Sequence, residues 1–148
     1  REGNNWSYKY ARRQWDLVDN KNLTYHYLAD FDEEMIKLIK SVKGIENTDV
    51  VEIWHNDGDQ ILAYQRKDLV FVFNFNPVKS FTDYGFLVSP GTYEVVLNTD
   101  AVKFGGNGLS DDTVKHFTIS DPLYEKEKKE WLKLYIPART AMVLKKTK

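Results

Sequence analysis

The sequence predicts a mainly β protein: a sandwich of about eight short antiparallel strands, preceded by a helical segment. Three observations predict it. Apolar residues recur at steps of three and four up to residue 45, and at steps of two after residue 50. Turn residues punctuate the second stretch at the spacing of an all-β fold. Aromatic residues, which suit strands and cores, make up 14% of the chain. The change of period divides the chain into residues 1–45 and an all-β domain at 46–148.

The elements follow in order. Residues 1–15, REGNNWSYKYARRQW, alternate Trp6, Tyr8 and Tyr10 with polar residues, and then bring Arg12, Arg13 and Trp15. Leu28, Phe31, Met35, Leu38, Ile39 and Val42 make one apolar stripe. Asp30 followed by Glu33 predicts a capping box at a helix start, with residues 23–29 an earlier turn or part of the same helix. Acidic residues 32–34 come early and Lys37, Lys40 and Lys43 late, which suits the helix dipole. Gly44 is the expected stop.

Beyond residue 50, stretches 51–55 and 60–66 read as strands joined by a turn containing Asp57-Gly58. Stretch 69–75 places Leu69, Phe71, Phe73 and Phe75 on one face and Val70, Val72 and Asn74 on the other. Apolar residues on both faces predict a central strand covered on both sides, and Pro77 ends it. Further strands are expected at 84–88, 93–98, 114–119, 132–136 and 140–145, with turns at Pro90-Gly91 and Asp121-Pro122. Residues 105–108 form a glycine-rich loop, and 125–131 a polar loop or edge leading into a strand.

Composition excludes several functions. A net charge of -1, with Lys and Arg spread along the chain, argues against nucleic acid as a partner. No apolar run reaches membrane-spanning length, so no membrane partner is expected. The absence of Cys rules out disulfides and thiolate metal sites and fits a reducing, cytoplasmic setting. His26, His55 and His116 lack metal-ligand spacing, and no phosphate-binding loop or nucleophile elbow is present. We therefore expect no metal and no cofactor.

A self-contained active site does not emerge either. A glycosidase needs two carboxyl groups across the scissile bond, one of them with a raised pKa. The pairs Asp30/Asp32, Glu33/Glu34 and Asp111/Asp112 are sequence neighbours suited to capping or solvation. The better candidates bind rather than react. Trp6 and Tyr8 offer ring faces for sugar stacking, and Asn5 beside them offers an amide for hydroxyls. Arg12 and Arg13 carry the planar fork that fixes a loop through paired hydrogen bonds.

The opening segment resembles the stretch after the last barrel strand in 1,4-α-glucan (glycogen and starch) branching enzymes of the α-amylase superfamily. Further segments are similar to that family in the same order: Ala29-Asp30-Phe31-Asp32 with Met35, FVFNFNP at 71–77, FTDYG at 81–85 and PGTY at 90–93. Val96-Leu97-Asn98-Thr99-Asp100, Phe104-Gly105-Gly106 and YIPARTA at 135–141 complete the series. Asn98-Thr99-Asp100 stands where the family has Asp-Ser-Asp. The likeness is greatest to the eukaryotic-type branch.

The resemblance implies the end of a (β/α)8 barrel over residues 1–45, followed by the α-amylase-type C-terminal β-sandwich. It implies a parent transferase that cuts α-1,4 glucan and re-attaches the chain at a 6-hydroxyl. The family's catalytic carboxylates belong to upstream motifs that are missing from this sequence, so no catalytic residue is expected here. The expected partners are an α-glucan, reached through the parent enzyme, and the upstream barrel itself. Asn5, Trp6 and Tyr8 become glucan-cleft candidates. The helix stripe should dock on the β-domain or on a second copy of the chain, or else the opening segment should be poorly ordered. The rival reading is a non-catalytic glucan-binding module, which needs exposed aromatics after residue 50; Trp54 and Trp131 are the two Trp candidates there.

Overall fold

The computed structural model describes residues 14–148. A short helix α1 (Trp15–Asp19) leads to a long one, α2 (Tyr25–Ser41). Eight strands follow: β1 (Val51–Asn56), β2 (Ile61–Arg66), β3 (Leu69–Asn74), β4 (Phe81–Val88), β5 (Thr92–Asn98), β6 (Lys115–Phe117), β7 (Glu130–Ile136) and β8 (Thr140–Lys146). All pairings are antiparallel. Six strands form one sheet in the order β1-β2-β3-β8-β5-β6, and β4 pairs with β7 in a second. This is the mainly β sandwich that the period-two stretches predict.

The core lies between the two sheets. Alternate residues of the small sheet, Phe86 and Val88 on β4 with Leu132, Leu134 and Ile136 on β7, face Ile61, Ala63, Val70, Val72, Met142 and Leu144 of the large one. Each large aliphatic side chain so buried contributes about 1.5–3 kcal/mol. The opposite face of the large sheet carries a second cluster, Leu69, Leu97 and Val143, under Val42 and Ile45. Phe31, Leu38 and Ile39 of α2 complete that cover. Strand β3 is therefore buried on both faces where α2 reaches it. Past that point its outer face becomes an aromatic ladder, in which Tyr64 stacks on Phe71 (4.7 Å) and Phe73 on Phe75 (5.6 Å).

Helix α2 starts five residues before the expected capping box. Asp30 sits in its second turn, so it caps nothing, and the boundary residue Thr24 makes no side-chain cap bond. Residues 25–29 contain no Gly or Pro to halt the helix. The early turn also has a tertiary partner, because Tyr27 lies against Gly105; a Cβ at Gly105 would come within 2.8 Å of its ring. Leu28 and Met35 belong to the predicted stripe but stay exposed, since the sheet contacts run through Phe31, Leu38, Ile39 and Val42. The helix ends at Ser41, and Gly44 adopts a left-handed conformation (φ 71°) opening the 3-10 turn Ile45–Asn47.

Two strands also differ from expectation. Strand β4 begins at Phe81, because a bulge at residues 82 and 83 lets Phe81 still pair with Ile136. Asp83 takes a left-handed φ of 54° there. Strand β6 is only three residues long because the chain changes sheets: Ile119 leaves β6's sheet and exchanges both backbone bonds with Trp131 at 2.9 Å. Of the expected polar stretch 125–131, the first part belongs to the 3-10 helix Pro122–Glu127, and the strand already begins at Glu130.

Candidate functional site

Asn5, Trp6, Tyr8, Arg12 and Arg13, the binding and loop-fixing candidates of the sequence, lie outside the described residues. The other candidates from the sequence are all within them. His26 bonds the Leu23 carbonyl (2.6 Å), His55 pairs with Glu52 (2.9 Å) on exposed β1, and His116 sits on β6 opposite Tyr93. The three occupy three separate elements. Among the described residues no group of three His, Cys, Asp or Glu could hold a metal ion.

The acidic pairs perform local work. Glu33 bonds Lys37 (2.8 Å) along exposed α2. Asp111 accepts from the backbone N–H and hydroxyl of Thr113, and Asp112 accepts from the Asn98 amide (2.7 Å). Every carboxyl shift resolved among the described residues is downward: Glu33 by its bond to Lys37, Asp111 by Thr113, Asp121 by the Trp131 indole. A general acid needs the opposite shift.

Two of the segments that carry the family likeness supply buried polar clasps: Asn74 in one, and Asn98 and Asp100 in the other. Asn74, 2% exposed, donates to the carbonyls of Lys79, Ile136 and Pro137 and accepts from the Asn76 N–H, tying the end of β3 to the β7–β8 turn. Asn98 donates to Ser110 and Asp112. Asp100, 3% exposed, accepts from the N–H groups of Asn107 and Leu109. The loop can close this tightly because Gly106 lies on the Asp100 backbone, where a Cβ would come within 2.2 Å.

Three aromatics outside the core, Trp54, Tyr84 and Trp131, meet at one place. Where the outer face of the β4–β7 sheet meets the edge strand β1 runs a groove of about 650 Å³, lined by Trp54, Asp83, Tyr84, Asp121, Trp131 and Lys133 among others. Its two indoles are fixed at their N–H edges. Trp54 Nε1 donates to the Tyr84 hydroxyl (3.1 Å), which donates on to Asp59 (3.1 Å), and Trp131 Nε1 donates to Asp121 (3.0 Å). Burial, ahead of the bond to Asp59, raises the Tyr84 pKa and keeps it the donor. Bulges immediately precede both Trp54 and Tyr84, re-aiming the two side chains toward each other. Trp131 packs over Gly85, where a Cβ would come within 2.9 Å of its ring, and meets the Tyr124 ring edge-on at 5.6 Å.

The sequence singles out Trp54 and Trp131 but does not bring them together, and it reads Tyr84, Gly85 and Asp121 only as parts of a family-like segment and a turn. One signal was available for Trp131. It has the opposite parity to Leu132, Leu134 and Ile136, so a strand that buries those three must point it outward.

Residues 53–147 match the family described as alpha amylase, C-terminal all-beta domain. The chain belongs to that family. The likeness of this α-amylase-type β-domain to glucan-branching enzymes holds over nearly its whole length. It is 40% identical over 145 residues to a 1,4-alpha-glucan-branching enzyme of Candida glabrata, covering 97% of this chain and 20% of that protein. It is 39% identical over 145 residues to the Felis catus enzyme of the same name, again 97% and 20%. A chloroplastic/amyloplastic 1,4-alpha-glucan-branching enzyme of Oryza sativa subsp. japonica is 43% identical over 119 residues, 80% of this chain and 14% of that protein. The chain thus spans about a fifth or less of the length of these relatives.

Proposed function

We propose that this chain is the C-terminal portion of a 1,4-α-glucan branching enzyme, and that it supports the catalytic barrel and the substrate cleft without carrying the reaction. The observation behind this reading is about 40% identity across 97% of the chain to branching enzymes five times as long. In it, residues 1–45 close the barrel and residues 46–148 form the β-domain. Asn5, Trp6 and Tyr8 line the glucan cleft, while Arg12 and Arg13 fix the loop that carries them. The bare flank of α2 packs on the barrel: Tyr25, Leu28, Met35 and Ile36 are all at least 39% exposed and share one side of the helix. A cytoplasmic location fits the lack of Cys, and no described helix is long and apolar enough to cross a membrane.

The test is an amylose assay followed by iodine spectrum and by NMR of α-1,6 linkages. The full-length protein expressed from its gene should accumulate branches with time, and the 148-residue chain should not. Branch formation by the purified chain alone, or none by the full-length protein, would overturn the reading.

A further inference from the structure

We infer that the Trp54–Trp131 groove is a second glucan site, which holds an α-glucan chain on the β-domain's outer face. The site uses neither Trp6 nor Tyr8, and the choice of an α-glucan as occupant rests on the branching-enzyme reading above. The groove's chemistry is that of a sugar platform. Sugar rings present a face of C–H groups to an aromatic ring and hydroxyls at their edges. Trp54, 45% exposed on an edge strand, and Trp131, packed over Gly85 and lining the groove, supply the rings. Their N–H edges are already bonded to Tyr84 and Asp121, so both indoles are held in place before any ligand arrives. Preorganised groups lose little freedom on binding, which is where weak sugar contacts otherwise fail.

Hydroxyl partners are present as well. Asp83 and Lys133 are exposed in the groove, and neither has a side-chain partner among the described residues. One accepts and the other donates, as sugar hydroxyls require. Asp83 is held there in the left-handed region (φ 54°), a conformation costly for a side-chain-bearing residue and kept by the bulge. With one cationic and two anionic side chains the groove has no strong field of either sign, which fits a neutral ligand. The wall at residues 120–122 also bounds a second hollow, of about 580 Å³. The groove thus opens along a surface rather than ending in a pit, which suits a segment of a polymer.

The indole N–H signals of the four Trp residues in the 148-residue chain test this without any variant. Titration with maltoheptaose should shift the Trp54 and Trp131 signals along one saturating curve. In glycogen-containing native gels, Trp54→Ala should weaken retardation roughly tenfold, as expected for a central aromatic contact, whereas Trp54→Phe should retain most of it. Phe75→Ala, which removes a still more exposed aromatic outside the groove, should change nothing. Unmoved Trp54 and Trp131 signals, shifts confined to Trp6 or Trp15, or retardation indifferent to Trp54→Ala would each overturn the site. None of these outcomes bears on whether the full-length protein forms branches, so failure of the groove and failure of the branching reading are separately visible.

Discussion

At the scale of residues, the fold depends on a few polar side chains placed where water cannot reach. Asn74 is the clearest. Its amide serves three carbonyls at a strand end, and no apolar residue replaces it without leaving them short of a donor. Asn74→Ala should cost about 1–3 kcal/mol, seen as a lower urea midpoint with an unchanged slope. Asn74→Asp should cost more, since a carboxylate would face carbonyl oxygens. The cross-strand pair Tyr93 and His116 contributes a pH dependence on each side of neutrality. Burial pushes the Tyr93 hydroxyl up to about 12, so the folded state keeps a proton that the unfolded chain sheds near pH 10. Its stabilisation is complete below pH 10 and lost as pH rises toward 12. Burial lowers the His116 pKa, so the unfolded chain takes up a proton first as pH falls below about 6.5. Stability from that group is present above that pH and lost below it. Chemical denaturation across pH should show a plateau between these limits. His116→Phe should flatten the curve just below pH 6.5 and leave the alkaline side unchanged.

At the scale of elements, α2 is the piece whose extent sequence reasoning least anticipated. Its apolar period was legible, but its start was not. The Asp30/Glu33 pattern is a local signal, and the packing of Tyr27 on Gly105, 78 positions away, outweighs it. Strands were easier to read because alternation is enforced by burial on a fixed face: Leu132, Leu134 and Ile136 allow one register. The groove was not legible, since it joins residues 54, 84 and 131 through two bulges, and bulges leave no mark in a period of two. The helix also yields a prediction. A chain beginning at residue 46 loses Val42 and Ile45 and uncovers Leu69, Leu97 and Val143. Its inter-sheet core is intact, so it should fold with a lower denaturation midpoint and bind a hydrophobic dye that the longer chain does not. Full protection of Leu69 and Val143 amides in the shorter chain, measured by hydrogen exchange, would contradict this.

At the scale of the whole molecule, the helix has two apolar flanks and one is left over. Leu28, 66% exposed, and Ile36, 49% exposed, touch too little here for their replacement to matter. Leu28→Glu and Ile36→Glu should each change the stability of the 148-residue chain by no more than about 0.5 kcal/mol. In the full-length protein, where we place the barrel against this flank, the same substitutions should lower the thermal midpoint and the branching rate. Equal, negligible effects in both would mean that the flank faces water in the complete enzyme. Similarly, Trp6→Ala should reduce branching by the full-length protein, by removing a contact at the cleft, while leaving its melting temperature unchanged.

The bulge that turns Trp54 into the groove has a further consequence for the fate of the chain in a crowded solution. An edge strand with unpaired backbone groups is a template on which other strands can add, and such addition ends in aggregates. Strand β1 is an edge that carries exposed Val51 and Trp54, and a straight β1 would invite this. The irregularity between Glu52 and Trp54 breaks its hydrogen-bonding rhythm, and Glu52 and His55 add polar groups beside it. At the other edge β6 is only three residues long, too short to seed a ladder. A kink that aims one indole thus also keeps copies of the sheet from zipping together.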